Sequence, residues 1–359
     1  MFSPDRIIPT IRGRGANSNP INRFERLQID WEPETWEHKE AFQVKTEYFI
    51  DHSKDILAKN DSPDLSFCYS INPYRGCEHG CIYCYARPTH EYFGLSCGLD
   101  FETKIFVKLD APKLLEKTMQ SSHWQPQVVL LSGNTDCYQP IERQLRLTRA
   151  CLEVFLKYHN PVRTITKSDL ILRDVDVLQE LARLNLVQVT ISVTTLNCEL
   201  ARKMEPRAAS PHRRLLTIEK LSSAGIPTAV NLAPLIPGLN DHEIGPILKA
   251  CSEHGALRAE YILVRLPHAV KELFIDWLKR NYPDRATKVL HAIQETRDGK
   301  LNDPRFGTRL TGEGKRAQAI AKLFALSCQK YGLNQKEIKL ATHLFRRKIN
   351  QQVDLFSST

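Results

Sequence analysis

Residues 74–86 read YRGCEHGCIYCYA and bring three cysteines, Cys77, Cys81 and Cys84, into one short stretch. No fourth cysteine completes a local set. Structural zinc sites usually have four protein ligands, often as two separated Cys-x-x-Cys or His-containing pairs. A cubane [4Fe-4S] cluster has four irons, so three thiolates leave one iron open to a ligand that is not protein. The spacing therefore favours a catalytic iron–sulfur cluster, and a zinc site is the alternative.

Three further side chains near this stretch are candidate metal ligands. His79 lies inside the motif, but only a strained loop would let it reach the same metal as Cys77 and Cys81. We therefore expect His79 to be a hydrogen-bond donor beside the site or a surface residue. Cys68 and Cys97 are nearby thiols that could hold the metal instead, although their spacing does not match the motif.

From about residue 65 the chain alternates short apolar runs with amphipathic segments, a pattern typical of repeated strand–helix units and a parallel sheet. The predicted strands are 66–71, 128–133, 162–166, 187–193, 228–236 and 261–266. The predicted helices are about 142–157, 170–184, 211–224, 241–254, 268–280, 285–297 and 314–331. Six units favour an α/β fold, a partial (β/α)6 TIM-type barrel, with a doubly wound open sheet as the alternative. In both folds the loops after the strands carry the site.

Composition restricts the class of protein. Of the 359 residues, 42% are hydrophobic and 25% are charged, as in ordinary soluble globular proteins. No apolar run reaches the roughly 18 residues that cross a bilayer, and the first residues lack the apolar stretch of a signal peptide. We therefore expect a cytoplasmic protein with no membrane partner, whose ten cysteines stay reduced. The net charge of +9 favours polyanionic partners such as DNA or RNA.

The chain divides into four predicted parts. They are a polar N-terminal arm at 1–60, a core at 61–280, a helical C-terminal extension at 281–345 and a flexible tail at 346–359. In the arm, Arg12, Arg14, Arg23 and Arg26 stand beside Gly and Asn turn formers. We expect this run to be solvated or, alternatively, to contact phosphates.

The spacing Cys77-x3-Cys81-x2-Cys84, with the aromatic Tyr83 just before the third cysteine, resembles the signature of the radical S-adenosylmethionine (radical SAM) superfamily. The resemblance implies that the three thiolates ligate a [4Fe-4S] cluster whose unique iron chelates the amino and carboxylate groups of S-adenosylmethionine. It also implies an electron donor such as flavodoxin or ferredoxin. Reductive cleavage of the cofactor then gives methionine and a 5′-deoxyadenosyl radical, which abstracts hydrogen from the substrate.

The same resemblance implies where S-adenosylmethionine is held. The implied cofactor-binding residues are Tyr83, Gly133, Asn134, Thr135, Lys167, Ser192 and Asn231. The family commonly has a Gly-Gly-Glu segment after the second strand, which this chain replaces with residues 132–136, SGNTD. Lys167 would pair with the methionyl carboxylate, and Ser192 or Thr194 with the ribose hydroxyls. A hydrogen-bonded polar residue of the core is the alternative for each of them.

Longer stretches, among them NTDCYQPIE (134–142), APLIPGLND (233–241) and YILVRLP (261–267), resemble the DNA-repair photolyase-like branch of the superfamily, which is related to spore photoproduct lyase. This resemblance covers about residues 65–280. It implies a lyase-like or other radical reaction on a nucleic acid, in DNA repair or base modification. A radical reaction on a small molecule or peptide is one alternative, and a non-enzymatic protein with a structural metal or cluster is another.

Cys137 follows the second predicted strand, and the resemblance suggests it as hydrogen donor to a product radical, since a non-cluster cysteine has that role in spore photoproduct lyase. The alternative is a small buried hydrophobe. The basic side chains Arg207, Arg213, Arg214 and Arg265 could line the path of an anionic substrate, or serve as surface and structural arginines.

The C-terminal tail contains a short candidate partner motif. Residues 352–356 read QVDLF, similar to the peptide with which bacterial repair and replication proteins bind the sliding clamp. Gln352 would form hydrogen bonds with the clamp, and Leu355 and Phe356 would enter an apolar pocket. The alternative is a tail that packs Leu355 and Phe356 on its own domain.

Overall fold

The computed structural model describes residues 11–24 and 44–347. The strands are β1 Glu47–Ile50, β2 Leu57–Lys59, β3 Tyr69–Ile71, β4 Tyr74–Arg75, β5 Lys104–Val107, β6 Val129–Leu131, β7 Val162–Thr166, β8 Val187–Ser192, β9 Thr228–Leu235 and β10 Arg258–Leu263. The α-helices are α1 Asp100–Thr103, α2 Ala111–Gln120, α3 Glu142–Leu145, α4 Leu147–Tyr158, α5 Val175–Arg183, α6 Cys198–Met204, α7 Pro211–Ser223, α8 Ile244–Glu253, α9 Val270–Asn281, α10 Pro283–Gln294 and α11 Gly314–Lys330. Short 3₁₀ helices span Arg87–Phe93, Asp169–Asp174 and Asp241–Glu243.

The main sheet is an open, curved row of parallel strands with the order β10-β9-β8-β7-β6-β3-β2. All neighbours pair in parallel except β2, which is antiparallel to β3. The six parallel strands follow one another in chain order, whereas a doubly wound sheet reverses its order at a switch point. The prediction of a partial (β/α)6 barrel is therefore confirmed, and the doubly wound alternative is wrong.

Side-chain alternation along the strands separates the core from the inside of the barrel. Val187, Val189 and Ile191 of β8 belong to the hydrophobic core that includes residues of α4, α5 and α8. Because successive residues of a strand point to opposite faces, Gln188, Thr190 and Ser192 face the barrel interior. On the neighbouring strand Asn231 pairs in register with Ser192. The interior at this level is therefore lined by small polar side chains.

Several predicted boundaries shift in the structure. The sixth barrel strand spans Arg258–Leu263 rather than 261–266, and its register with β9 shifts between Tyr261 and Leu263. The predicted helix at 142–157 is divided into α3 and α4 at Arg146, whose φ is +53°. The sequence also did not reveal the small sheet β1-β5-β4, or helices α2 and α6.

The segment 307–310 crosses the open side of the barrel. At the last strand, Leu310 accepts the hydrogen bond from Leu263. At the first edge, Asp64, in the connection between β2 and β3, pairs with Arg309 at 2.6 Å and accepts from the N–H of Gly307 at 2.7 Å. This crossing segment therefore joins the two edges of a sheet whose end strands do not pair with each other.

No helix within 11–24 or 44–347 combines the length and the apolar character that spanning a membrane requires. The clamp-binding residues Gln352, Leu355 and Phe356 lie outside the described residues, as does Arg26. The clamp interaction and the four-part division of the chain stay predictions.

Candidate functional site

The three cysteines lie in a loop at the mouth of the barrel, directly after the short strand β4. Cys77 N–H donates to the carbonyl of Phe101 at 2.9 Å, and Gly76 and Gly80 turn the chain with φ of +77° and +66°. Cys77 and Cys81 are buried and Cys84 is half-buried, and all three are free thiols. The parallel strands end at the same edge, so this loop faces the strand ends that carry the other candidate residues.

Burial raises the pKa of all three thiols. It raises the pKa of Cys81 to about 12, with Glu205 adding to the rise and Lys167 opposing it. The pKa of Cys77 is raised first by burial and then by the charges of Asp136, Cys81 and Cys84. The three sulfurs are thus close enough to interact. A bound metal cluster would supply the positive charge that stabilises their thiolate forms.

The donor set fits a cluster better than a single ion. In the described part of the chain, no three His, Cys, Asp or Glu side chains converge to hold one metal ion. A mononuclear zinc site requires such convergence, because every ligand binds the same ion. In a cubane cluster each thiolate binds a different iron. The three free thiols of the loop are therefore suitable ligands for a [4Fe-4S] cluster.

A buried ion pair fixes this loop from beneath. The Arg87 guanidinium lies 2.5 Å from the Glu102 carboxylate, and neither side chain is exposed. Arg87 also donates to the carbonyls of Cys81 at 3.0 Å and Gly98 at 2.8 Å. One side chain thus connects the backbone of Cys81 to a carboxylate in α1.

The N-terminal segment 11–24 packs on the same loop. Glu102 accepts hydrogen bonds from the N–H groups of Gly15 at 2.9 Å and Ala16 at 2.8 Å, and Ala16 is fully buried. Arg14 is also buried and donates to the Glu102 carbonyl at 2.7 Å. The expectation of a solvated run is therefore wrong for these residues, because their backbone donors are needed by the buried Glu102. Arg12 is exposed.

A second buried carboxylate, Glu205, holds Tyr83. Glu205 accepts hydrogen bonds from the hydroxyls of Tyr83 and Thr194, the latter at 2.6 Å, and pairs with Arg214. Arg214 is 2% exposed, so it is a structural arginine and does not line a substrate path. Lys167 Nζ lies 5.9 Å from the centre of the Tyr83 ring. The Glu205 network thus orients the aromatic residue that lies between Cys81 and Cys84 in the sequence.

Capped helices fix both ends of the segment that carries Glu205. At the start of α6, Asn197 accepts from the N–H groups of Glu199 and Leu200. At the start of α7, Ser210 accepts from Arg213 N–H. Such caps satisfy amides that a helix leaves unpaired in its first turn. The segment between the two helices is therefore held where Glu205 reaches the cysteine loop.

The segment 132–136 is folded tightly against the first barrel strand. Ser132 has φ of +82°, and the Asn72 side chain accepts from the N–H groups of Asn134 at 2.8 Å and Thr135 at 3.2 Å. The Thr135 hydroxyl donates to the Tyr74 carbonyl, so it is already occupied. A Cβ on Gly133 would lie 3.0 Å from Ser70. The segment is therefore a closely packed turn.

Asp136 connects this turn to the cysteine loop and to β7. Its carboxylate lies 3.3 Å from His79 Nδ1 and accepts from Lys167 N–H at 2.8 Å and the Thr166 hydroxyl at 2.7 Å. Burial opposes ionisation, but these partners lower the pKa of Asp136 to about 2. His79 is 2% exposed, so the surface alternative is wrong and the hydrogen-bonding alternative fits.

Two predicted cofactor residues face the barrel interior side by side. Ser192 and Asn231 are 2% and 7% exposed and lie on adjacent strands in register. The Oδ1 atom of Asn231 is buried without a hydrogen-bond partner. Buried polar atoms are nearly always paired, so this acceptor is available to a ligand that donates a hydrogen bond.

Cys137 lies in the main core. Its side chain is fully buried, and its sulfur is 3.6 Å from the Thr164 hydroxyl. Cys137 packs in the core that also contains Cys151 and Phe155 of α4. Burial raises the pKa of its thiol well above the usual range. The hydrogen-donor role stays a prediction.

The remaining arginines separate into paired and unpaired groups. Arg207 lies 3.1 Å from the buried carboxylate of Glu78, and Arg213 pairs with Asp169. Arg265 has its Nε buried without a partner. The sequence alone did not indicate the roles of Arg87, Glu102 or Glu205, because each is a single charged residue without a spacing pattern, far in sequence from its partners.

Comparisons with known proteins agree with this geometry. The family model of the radical SAM superfamily matches residues 71–251, just over half of the chain. An uncharacterized protein of Mycobacterium tuberculosis is 32% identical over 222 residues, which cover 61% of this chain and 65% of the relative. An uncharacterized protein of Methanocaldococcus jannaschii is 28% identical over 216 residues, covering 60% and 77%. The match thus spans less than two thirds of the mycobacterial relative.

Among solved structures, spore photoproduct lyase complexed with dinucleoside spore photoproduct gives a TM-score of 0.58 at 17% identity, with 80% of each chain covered. At this identity the likeness shows a shared fold. The family match carries the assignment together with the cysteine loop at the mouth of the barrel: this chain belongs to the radical SAM superfamily.

Proposed function

We propose that this protein is a radical SAM enzyme in which Cys77, Cys81 and Cys84 ligate a [4Fe-4S] cluster and which acts on a nucleic-acid substrate. The observation that carries the proposal is the set of three free thiols, close enough to interact, in a loop held by two buried carboxylates. When bound, the cluster and S-adenosylmethionine supply reductive cleavage of the cofactor and hydrogen abstraction from the substrate.

The residues of the chain would bind and orient these groups. Lys167, near both Tyr83 and the thiols, is suited to the methionyl carboxylate because a primary ammonium forms charge-assisted hydrogen bonds with carboxylates. The unpaired Asn231 Oδ1 is suited to a hydrogen-bond donor of the adenosyl group. The half-buried Cys84 thiol lies beside Tyr85, which is 48% exposed, so the site has a side open to substrate.

Three observations support a nucleic-acid substrate. The chain has a net charge of +9, which favours polyanions. Several stretches resemble the DNA-repair photolyase-like branch. A solved structure with the same fold is spore photoproduct lyase complexed with dinucleoside spore photoproduct. We therefore propose that the substrate is a nucleic acid and that the reaction is DNA repair or base modification by a lyase-like radical step.

A small anionic molecule is the second candidate substrate. The crossing segment 307–310 joins the two edges of the open barrel through Asp64 and Leu263. Such a connection narrows the open side of the barrel, and a narrower opening admits a small molecule more readily than a polymer. Binding of DNA or RNA that weakens steeply with added salt would favour the nucleic acid. Binding of neither polymer would favour the small molecule.

The test of the proposal is cofactor cleavage by iron-loaded protein under anaerobic conditions. We expect reduced holoprotein with S-adenosylmethionine to release 5′-deoxyadenosine. Replacing any one of Cys77, Cys81 or Cys84 with alanine should abolish both iron loading and this release. Cys97→Ala is the matched control, because Cys97 is a buried thiol in the core cluster that contains Cys81. Full iron content after loss of all three loop cysteines would contradict the proposal.

An electron donor and a compartment complete the proposal. A flavodoxin or ferredoxin would reduce the cluster, and both act in the reducing cytoplasm. All ten cysteines are free thiols, which is consistent with a compartment that keeps thiols reduced. Release of 5′-deoxyadenosine driven by reduced flavodoxin in place of dithionite is the measurement that tests this part.

A further inference from the structure

Arg265 follows the last barrel strand and makes no hydrogen bond or ion pair with the residues that the structure describes. Its Nε is buried without a hydrogen-bond partner. Within residues 11–24 and 44–347, the groups that act on it are the ring of Tyr85, 5.4 Å from its guanidinium carbon, and the charges of Arg309 and Asp64. Burial and the nearby Arg309 lower the pKa of Arg265. An arginine in this position is destabilised by its surroundings.

The neighbouring arginines have acceptors, whereas Arg265 makes no hydrogen bond or ion pair with the described residues. Arg309 pairs with Asp64 at 2.6 Å. Arg297 has an unpaired buried Nε as well, but its Nη groups donate to four carbonyl oxygens, those of Leu263, Val264, Thr308 and Arg309, at 2.9 to 3.2 Å. A buried donor that lacks an acceptor costs free energy comparable to a lost hydrogen bond, and a charged donor costs more. The missing partner of Arg265 is therefore an anionic acceptor.

Arg265 and Lys167 approach the cysteine loop from different strands. Lys167 follows β7 and lies near Tyr83, whereas Arg265 follows β10 and lies against Tyr85. The strands β8 and β9 lie between β7 and β10 in the sheet. Tyr85 is the residue next to Cys84 and donates to the Gly133 carbonyl at 2.7 Å. An anion at Arg265 would thus lie beside the cysteine loop, on the side of Tyr85.

We infer that Arg265 binds an oxyanion of the substrate, with its guanidinium held against the face of Tyr85. This inference rests on the proposed function and specifies the substrate site. A guanidinium presents parallel N–H donors that match the two oxygens of a phosphodiester or a carboxylate. A phosphodiester of a nucleic acid and a carboxylate of a small molecule share this chemistry, and the experiment distinguishes them.

The experiment compares iron-loaded wild-type protein with Arg265→Met and Arg258→Met. Arg258 is the first residue of β10, the strand that Arg265 follows, and it donates to the Lys336 carbonyl at 3.0 Å, so it is a matched control. One arm measures binding of a fluorescein-labelled ten-nucleotide single-stranded DNA as salt is varied. The other arm measures the rise in melting temperature caused by citrate at matched ionic strength. Neither arm requires turnover, so absence of 5′-deoxyadenosine release counts against the proposed function and not against this inference.

We expect Arg265→Met to weaken the binding of at least one probe tenfold or more, while Arg258→Met leaves the binding of both probes unchanged. Weaker binding of the DNA, with a slope of log affinity against log salt concentration that is smaller by about one, would identify the bound oxyanion as a phosphodiester. Loss in the citrate arm assigns a carboxylate. Without ligand, Arg265→Met should melt no lower than wild type, because it removes an unpaired charge, which shows that the variant folds. Equal behaviour of wild type and Arg265→Met toward both probes would overturn the inference.

Discussion

The carboxylate of Glu102 lies 2.5 Å from the guanidinium of Arg87, and both side chains are completely buried beneath the cysteine loop. The same carboxylate accepts from the N–H groups of Gly15 and Ala16. The Glu102 carboxylate thus connects the N-terminal segment, α1 and the loop of Cys77, Cys81 and Cys84. Removing its charge should weaken the packing of all three.

Glu102→Gln leaves the buried charge of Arg87 without its counterion. We expect the free energy of unfolding to fall by about 3–5 kcal/mol, because breaking a buried pair uncovers an uncompensated charge. Urea unfolding of the metal-free protein measures this change. Glu199→Gln removes an exposed ion pair with Lys203 and should leave the free energy of unfolding nearly unchanged, because solvent screens such pairs. Equal losses in the two variants would contradict the structural role of Glu102.

Gly15→Ala should release the N-terminal segment from the cysteine loop. A Cβ on Gly15 would overlap the carbonyl oxygen of Gly80, and a backbone atom cannot rotate away as a side chain can. We expect hydrogen exchange at the Ala16 amide to become faster. Gly13→Ala is the control: its φ of +73° costs about 1–2 kcal/mol, but no atom lies within 4 Å of the added Cβ. Unchanged protection of Ala16 in Gly15→Ala would refute the packing.

Cys137→Ala separates a core role from a catalytic one. The residue is fully buried in the main core, so loss of its sulfur should lower the free energy of unfolding by about 1 kcal/mol and leave iron content unchanged. Cys151→Ala, in the same core, is the matched control for stability. If Cys137 donates hydrogen to a product radical, only its variant should alter the product in turnover with substrate. Identical products from both variants would remove the donor role.

Lys108 makes the free energy of unfolding depend on pH. Burial and the charge of Arg75 lower the pKa of Lys108 to about 8, and the charge of Asp51 opposes this shift. The folded state therefore loses this proton before the unfolded state, whose lysine keeps the ordinary value of 10.5. Between about pH 8 and 10.5 the unfolded chain binds more protons, so stability rises with pH in that window.

Lys108→Met should remove this rise and stabilise the protein near pH 7 by about 1–3 kcal/mol, because the buried ammonium is absent. Urea unfolding at pH 7 and pH 10 measures both effects. Lys113→Met changes a side chain that is 85% exposed and should alter neither. A wild-type pH slope that Lys108→Met retains would show that other groups cause it.

The sequence by itself determined the fold class and the family, and it indicated Cys77, Cys81 and Cys84 as cluster ligands, which stays a prediction. The six strand–helix units could be read because hydrophobic periodicity is a local property, and their order in the sheet agreed with the barrel prediction. The motif of Cys77, Cys81 and Cys84 is also local, since its three ligands lie in one loop. Boundaries were less accurate, as at β10, which spans Arg258–Leu263 rather than 261–266.

Only the tertiary structure decided which charged residues support the site and which one lacks a partner. Glu102 meets Gly15, Glu205 meets Tyr83 and Arg309 meets Asp64 across 87, 122 and 245 positions of the chain. Nothing local in the sequence marks such pairs, because burial and charge compensation depend on which distant segments the fold brings together. For the same reason, the sequence did not show that Arg14 and Arg214 are buried, and Arg265 could be recognised as unpaired only in the folded chain.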